Sequence, residues 1–321
     1  MAEALGPDQS GYPPLVDIAE VDQFLRTHLG DGVTDVQSLR DGAWSRAFSF
    51  RISGQARVAR FSATADDFEK DRVAAKYASA DLPIPRIFDI SRAPGGFCAV
   101  SERAFGDSLD DLDGERMRRV LPSLFATLDA ARAVDLSTAS GYGWWDASGN
   151  APHATWAAAL LATADPANAT KIPGWRAALD QSPTGSAAFV ETYARLEQLV
   201  EMVPNTRYLV HSDMLNHNVL VEGDHVSAVL DWGNAMAGDF LYDIALIDFW
   251  SPWYSAWNGI SIQQEAARHY AAIGLDVPRY AERIRCYQVH IGLDHLAYNA
   301  FMGRWDELDR VARHTLAVVR D

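Results

Sequence analysis

The chain has 321 residues, 48% of them hydrophobic, enough for two compact units or one large two-lobed one. It carries 43 acidic residues against 28 basic, a formal net charge of -15, which disfavours nucleic acid and anionic membranes and favours cationic partners. No run of about 18 apolar residues is present to span a bilayer, and the two cysteines, Cys98 and Cys286, are too few for a disulfide framework; a cytoplasmic monomer is expected.

Residues 1–14, MAEALGPDQSGYPP, have neither a basic start nor an apolar stretch, so they read as a flexible leader and not as a signal peptide. Leu15 to Leu29 has helical apolar spacing. The alternating strings RAFSFRIS (Arg46 to Ser53) and ARVARFS (Ala56 to Ser62) predict two strands joined by a Gly-Gln turn. Asp66 to Ser79 reads as a helix stopped by the prolines of DLPIP. Arg86 to Ile90 and Phe97 to Glu102 predict further strands around APGG. Residues 15–103 are therefore expected to form a small antiparallel sheet with one helix.

The character changes after Gly106. Glu115 to Val134 reads as an amphipathic helix, in which Pro122 marks either a kink or a fresh start. Helical spacing returns around Ala154 to Ala162, over Ser186 to Val203, and through most of Ile262 to Arg320. Between the last two lie Tyr208 to Val210 and VLVEGDHVSAVLDW, which predict a short strand and then a hairpin around Gly-Asp. The expected architecture is α+β and two-lobed, with a mainly helical second lobe over residues 104–321 and a connector near Ser101 to Gly106. Ligands tend to bind in the cleft of such proteins.

The segment HSDMLNHNVL, His211 to Leu220, sets six polar side chains between two apolar flanks. The hairpin that follows brings its ends together, so Asn218 and Asp231 should be neighbours. An amide oxygen beside a carboxylate suits magnesium, which keeps most of its waters and takes few protein ligands. Asp213 then lies close to any phosphate held by that metal, where a carboxylate can accept the proton of an attacking hydroxyl. This is a layout for phosphoryl transfer. Three metal ligands from His211, Asp213 and His217 are the alternative, which leaves Asn218 and Asp231 unexplained.

The spacing H-x-D-x-x-x-x-N, with an aspartate ending the next strand, resembles the aminoglycoside phosphotransferase family, relatives of the protein kinases. SRAFSF, DLPIPRIFDI, VLDWGNAMAGD, DFWSPW and IGLDHL resemble its hygromycin B branch, and together they span about Ser45 to Leu296. The resemblance implies a protein-kinase-like fold, ATP or GTP as donor, Mg2+, and phosphorylation of a hydroxyl on an aminocyclitol antibiotic. It makes Asp213 the base, Asn218 and Asp231 the metal ligands, His211 a brace for the loop, and Asp243 the tie between loop and helix. The nucleotide loop DGAWSRAFSF departs from the kinase pattern in having a single glycine, Gly42, so Ser45 and backbone N–H groups would cradle phosphate. Arg60 replaces the usual phosphate-binding lysine, with Asp71 as its acidic partner and Glu69 as the competitor. Ser101 and Arg103, in the connector, are placed beside the nucleotide.

On the acceptor side, DFWSPWYSAW offers Asp248 for an ammonium group and Trp250 and Trp253 as flat faces for sugar rings, with core packing as the alternative use of the rings. Asp294 and Tyr298 stand at i, i+4 on one helix face and are candidates for the same pocket. A metabolite kinase on the same fold, or a catalytically silent binding protein, are the rival functions. The intact set Asp213, Asn218 and Asp231 argues against the silent protein.

Overall fold

The computed structural model describes residues 16–40, 42, 44–167 and 171–320, so the leader expected over residues 1–14 lies outside the described residues. The first part is a helix α1 (Ile18–Leu29), strands β1 (Val33–Ser38), β2 (Ser45–Ile52) and β3 (Gln55–Ser62), a helix α2 (Asp66–Ala74), and strands β4 (Ile87–Ala93) and β5 (Gly96–Glu102). The strands form one antiparallel sheet in the order β1-β2-β3-β5-β4. Its apolar face, with Phe48, Phe50, Phe61, Cys98 and Val100, packs with Val21 and Leu25 of α1. Asp17 caps α1 reciprocally with Glu20.

The turn between β2 and β3 is Ser53-Gly54, with both residues at positive φ (50° and 79°), and not the Gly-Gln pair expected. A two-residue turn that matches the strand twist needs two left-handed residues, and glycine fills one of them without strain. Strand β1 has no counterpart in the sequence reading. It is short and mostly exposed, and its register shifts between Thr34 and Gln37, so alternation is lost.

The rest of the chain continues with β6 (Asp107–Ser108), α3 (Gly114–Arg132), β7 (Gly143–Trp144), α4 (Trp156–Leu161), α5 (Trp175–Leu179), α6 (Pro183–Leu199), β8 (Tyr208–Val210), β9 (Val219–Glu222), β10 (His225–Val229), β11 (Met236–Gly238), α7 (Leu241–Trp250), α8 (Ile262–Ala272), α9 (Tyr280–Phe301) and α10 (Trp305–Arg320). Helix α3 runs unbroken through Pro122, so no fresh start occurs there. One large core joins these elements and buries Trp156, Trp175, Trp232 and Trp257. Both cysteines are free and buried. No described helix is long and apolar enough to cross a membrane.

Two small sheets hold the site. The hairpin β9–β10 turns at Gly223-Asp224 and is joined by β6 in the order β10-β9-β6. Strand β11 lies between β7 and β8. The short partners β6, β7 and β11 are too brief to leave a periodic signal in the sequence.

Candidate active site

Strand β8 leads into His211, and the backbone then turns sharply. Four of the seven non-glycine residues with positive φ among the described residues are Ser212, Asn216, His217 and Asp231, so left-handed backbone concentrates in this loop and at the hairpin's exit. Such conformations persist only where the surroundings enforce them. Asp243, in the first turn of α7, accepts the amides of His211 (2.9 Å) and Ser212 (2.7 Å), and thereby ties the loop to that helix. Burial lifts the Asp243 carboxyl to about 6, against the pull of those two amides.

His211 is 1% exposed and braces the loop through both ring nitrogens. Nδ1 accepts the Asp213 amide (3.2 Å), so Nε2 carries the proton and donates to the Leu230 carbonyl (2.8 Å). Burial pushes its pKa down to about 4, which keeps the ring neutral. The ring stands edge-on to Trp232. His217 is also engaged at both nitrogens, by Ser108 Oγ (2.8 Å) and by the Arg40 guanidinium. Neither histidine has a nitrogen free for a metal, which removes the three-ligand alternative. Among the described residues no group of three or more His, Cys, Asp or Glu stands ready to hold a metal.

Asn218 and Asp231 are brought together by the backbone: the Leu230 amide donates to the Asn218 carbonyl (2.7 Å), which makes Asp231 the next residue beyond the pairing. Strand β10 ends at Val229, two residues before Asp231. Asn218 is buried, and its Nδ2 donates to the Asp213 carbonyl (2.9 Å), which leaves Oδ1 as the free acceptor. Asp231 is exposed, at φ 57°, with one oxygen accepting the Gly233 amide (3.4 Å). A fixed amide oxygen beside an exposed carboxylate is a donor set that fits magnesium.

Asp213 is half-buried between these groups. Asn216 Nδ2 donates to its Oδ1 (2.8 Å) and Asn234 Nδ2 to its Oδ2 (3.4 Å). Burial raises the carboxyl to about 7 against the Asn216 hydrogen bond, and the nearby Asp231 charge adds to the rise. A carboxylate poised near neutrality and held by two side-chain amides is suited to accept a proton. Asn216 lies in the polar run His211 to Leu220 but has no role assigned from sequence, and neither has Asn234; their contacts with Asp213 supply one.

On the sheet side, Arg60 of β3 pairs with Asp71 of α2 and not with Glu69, which instead pairs with Arg72. Burial opposes charge on Arg60, but Asp71 and then Asp231 outweigh it and hold the guanidinium protonated. Lys70, absent from the expected site, is buried and donates to the Gly233 carbonyl (2.9 Å) beside Asp231. Ser45 opens β2, and its carbonyl accepts the Gly42 amide (3.0 Å), so that N–H is not directed at a ligand; Asp41 and Ala43 lie outside the described residues. Ser101 is buried in β5 opposite Val58, and Arg103 packs over Phe105.

The acceptor-side candidates divide. Asp248, expected to take an ammonium group, is engaged within the fold: Oδ1 accepts the Gln263 amide (3.0 Å) at the start of α8 and Oδ2 accepts Gln288 Nε2 (3.0 Å). Trp250 and Trp253 are half-buried and pack edge to face with each other, within an aromatic group that includes Phe249, His295 and His314. Trp253 Nε1 also donates to Glu307 (2.5 Å). Asp294 accepts Thr163 Oγ1 (2.6 Å), and Tyr298 lies under Arg304.

Known proteins resemble this chain over most of its length. Residues 35–282 match the phosphotransferase enzyme family. Hygromycin-B 4-O-kinase of Escherichia coli is 34% identical over 310 residues, which covers 96% of this chain and 86% of that protein. The crystal structure of aminoglycoside phosphotransferase APH(4)-Ia superposes with a TM-score of 0.81 at 34% identity, over 95% of this chain and 99% of that one. A thermostable variant of the same enzyme, in ternary complex with AMP-PNP and hygromycin B, gives 0.81 at 34% identity over 94% and 98% of the two chains. The chain belongs to the phosphotransferase enzyme family, has the kinase-like fold of the aminoglycoside phosphotransferases, and is an O-phosphotransferase.

Proposed function

We propose that this enzyme transfers the γ-phosphate of ATP or GTP to a hydroxyl of hygromycin B or a close aminocyclitol relative, and so confers resistance. The observation that carries the reading is the Asp213 carboxylate, raised to about 7 and oriented by two asparagines, beside the Asn218–Asp231 pair. The choice of acceptor is supported by the 34% identity to a hygromycin B kinase across 96% of the chain.

On this reading residues 15–103 hold the nucleotide and residues 104–321 carry the catalytic and acceptor groups. Arg60, held by Asp71, faces the donor phosphates. Asp213 aligns the acceptor hydroxyl and takes its proton as the oxygen–γ-phosphorus bond forms and the bond to the β-phosphate oxygen breaks. Asn218 and Asp231 would hold magnesium, which supplies positive charge to the phosphates. Positioning and electrostatics of this kind provide most of the catalysis in phosphoryl transfer.

The test is nucleotide turnover with and without hygromycin B, with product mapped by NMR, and growth of a sensitive host on a panel of aminoglycosides. Hygromycin-dependent turnover and selective resistance are expected. Turnover with a neutral sugar or nucleoside but not with hygromycin B would assign the fold to a metabolite kinase instead.

A further inference from the structure

Asp110 belongs to none of the motifs considered so far. It sits in the 3-10 turn Leu109–Asp111, just after β6. Its carboxylate accepts four hydrogen bonds: Oδ1 from the Asn216 amide (3.1 Å) and the Tyr254 hydroxyl (2.5 Å), Oδ2 from the His217 amide (2.7 Å) and Ser108 Oγ (3.0 Å). Asn216 and His217 are successive residues at φ 62° and 66°, neither a glycine. Two adjacent L residues adopt that conformation only where something outside the turn enforces it. One carboxylate receiving both amides is such a device. The enforced turn has a direct consequence, because Asn216 Nδ2 is the donor to Asp213 Oδ1 (2.8 Å). Tyr254, the third element bound, stacks on Trp257, whose Nε1 donates to the Leu112 carbonyl (3.0 Å), so the segment after α7 is docked onto the same stretch of chain.

We propose that Asp110 is a positioning residue: by fixing the left-handed turn Asn216–His217, it aims the Asn216 amide at Asp213 and sets the orientation in which that carboxylate meets the acceptor hydroxyl. The inference rests on Asp213 being the base. Asp110 touches neither the nucleotide-facing Arg60 nor the Asn218–Asp231 side chains by any hydrogen bond described above, so its influence should fall on the chemical step.

Steady-state kinetics with MgATP and hygromycin B should be measured for the parent, Asp110→Asn, Asp110→Ala, Asn216→Ala, the double variant Asp110→Ala with Asn216→Ala, and Asp213→Ala. Asp110→Ala is expected to lower kcat about 10- to 100-fold, the scale of a reacting group displaced by about 1 Å. Both KM values should stay within about threefold of the parent, the pattern of a contact that matters in the transition state. Asp110→Asn keeps one acceptor oxygen and should lose less; it also carries the test if the alanine variant does not fold. The double variant should be no worse than the poorer single one, since both act through one contact. Amide hydrogen exchange at Asn216 and His217, followed by NMR, should quicken in Asp110→Asn. Parent-like kcat in both Asp110 variants alongside an inactive Asp213→Ala overturns the inference alone. So do multiplicative losses in the double variant. An active Asp213→Ala overturns the base assignment and this inference with it.

Discussion

Asp71 of α2 is bonded at once to Arg60 of β3 and to the Trp232 amide (2.7 Å) in the loop that follows Asp231. One carboxylate thus joins the cation expected at the donor phosphates to the loop expected at the metal. The adjacent Lys70 reinforces the seam through Gly233, and Asp67 extends it to Lys171 (2.8 Å). Helix α2 is therefore one of the links that hold the small sheet against the catalytic loops, beside the Arg40–His217 contact and the Val229 amide on the Pro83 carbonyl (2.8 Å).

Arg60→Ala should raise the nucleotide KM and lower kcat, because the contact is to a group that gains charge during transfer. Arg60→Lys should keep part of the activity. Asp71→Ala removes the hydrogen-bonded partner of Arg60, whose side chain is 18% exposed, and leaves only the Asp231 and Asp67 charges to offset its burial, so it should also lower the stability of the fold. Kinetics at limiting ATP and a urea titration separate the two effects; parent-like behaviour of Arg60→Ala at limiting ATP would move phosphate binding to another cation.

Asp213→Asn should cost about 10²- to 10⁴-fold in kcat, the range for loss of a positioned general base. Nucleotide affinity, measured by calorimetry with a non-hydrolysable analogue, should be unchanged. An asparagine variant retaining more than about a tenth of parental kcat lies well outside that range and would place the base elsewhere.

Asn218→Ala and Asp231→Ala should each shift activity to higher magnesium concentration, with the larger shift for Asp231, which contributes charge as well as an oxygen. The same order should appear in magnesium-dependent binding of the nucleotide analogue. If both variants share the parental magnesium dependence, the pair is not the metal site.

His211 makes stability acid-sensitive. Its folded pKa of about 4 lies below the ordinary 6.5, so the unfolded chain takes up the proton first and stability falls as pH drops from about 6.5 to 4. Asp243 works in the opposite sense: a folded pKa of about 6 against the ordinary 3.8 means that protonation between those values favours the folded state. His211→Gln removes the first contribution and leaves the second. Between pH 7 and pH 5 the parent should lose about 2 kcal/mol more than this variant in denaturant titrations. Equal losses would mean that the ring is not held neutral.

Asp248 should behave as a structural residue. Its carboxylate caps the first turn of α8, so Asp248→Ala should lower stability by about 1 kcal/mol. The hygromycin B KM should stay at the parental value. A raised drug KM with unchanged stability would return Asp248 to the acceptor pocket.

Local pattern determined much of this molecule. Period-two alternation placed β2 and β3, the turn APGG placed β5, helical spacing placed α1, α3 and α6 to within a few residues, and the polar run His211 to Asn218 with Asp231 marked the site, because buried strands have no other use for such residues. The approach of Asn218 to Asp231 was legible because a hairpin closes its own ends. Other features depended on which way a side chain faces, and that is settled by packing. Glu69 and Asp71 are two residues apart on one helix, and a 3.6-residue period turns them to different faces; only the position of β3 and the Trp232 loop selects Asp71. Asp248 looked free in sequence because the amide that occupies it arrives from the start of α8. Asp110 carried no signal, since three of its four donors, Asn216, His217 and Tyr254, are remote in sequence and are brought to it only when the chain folds.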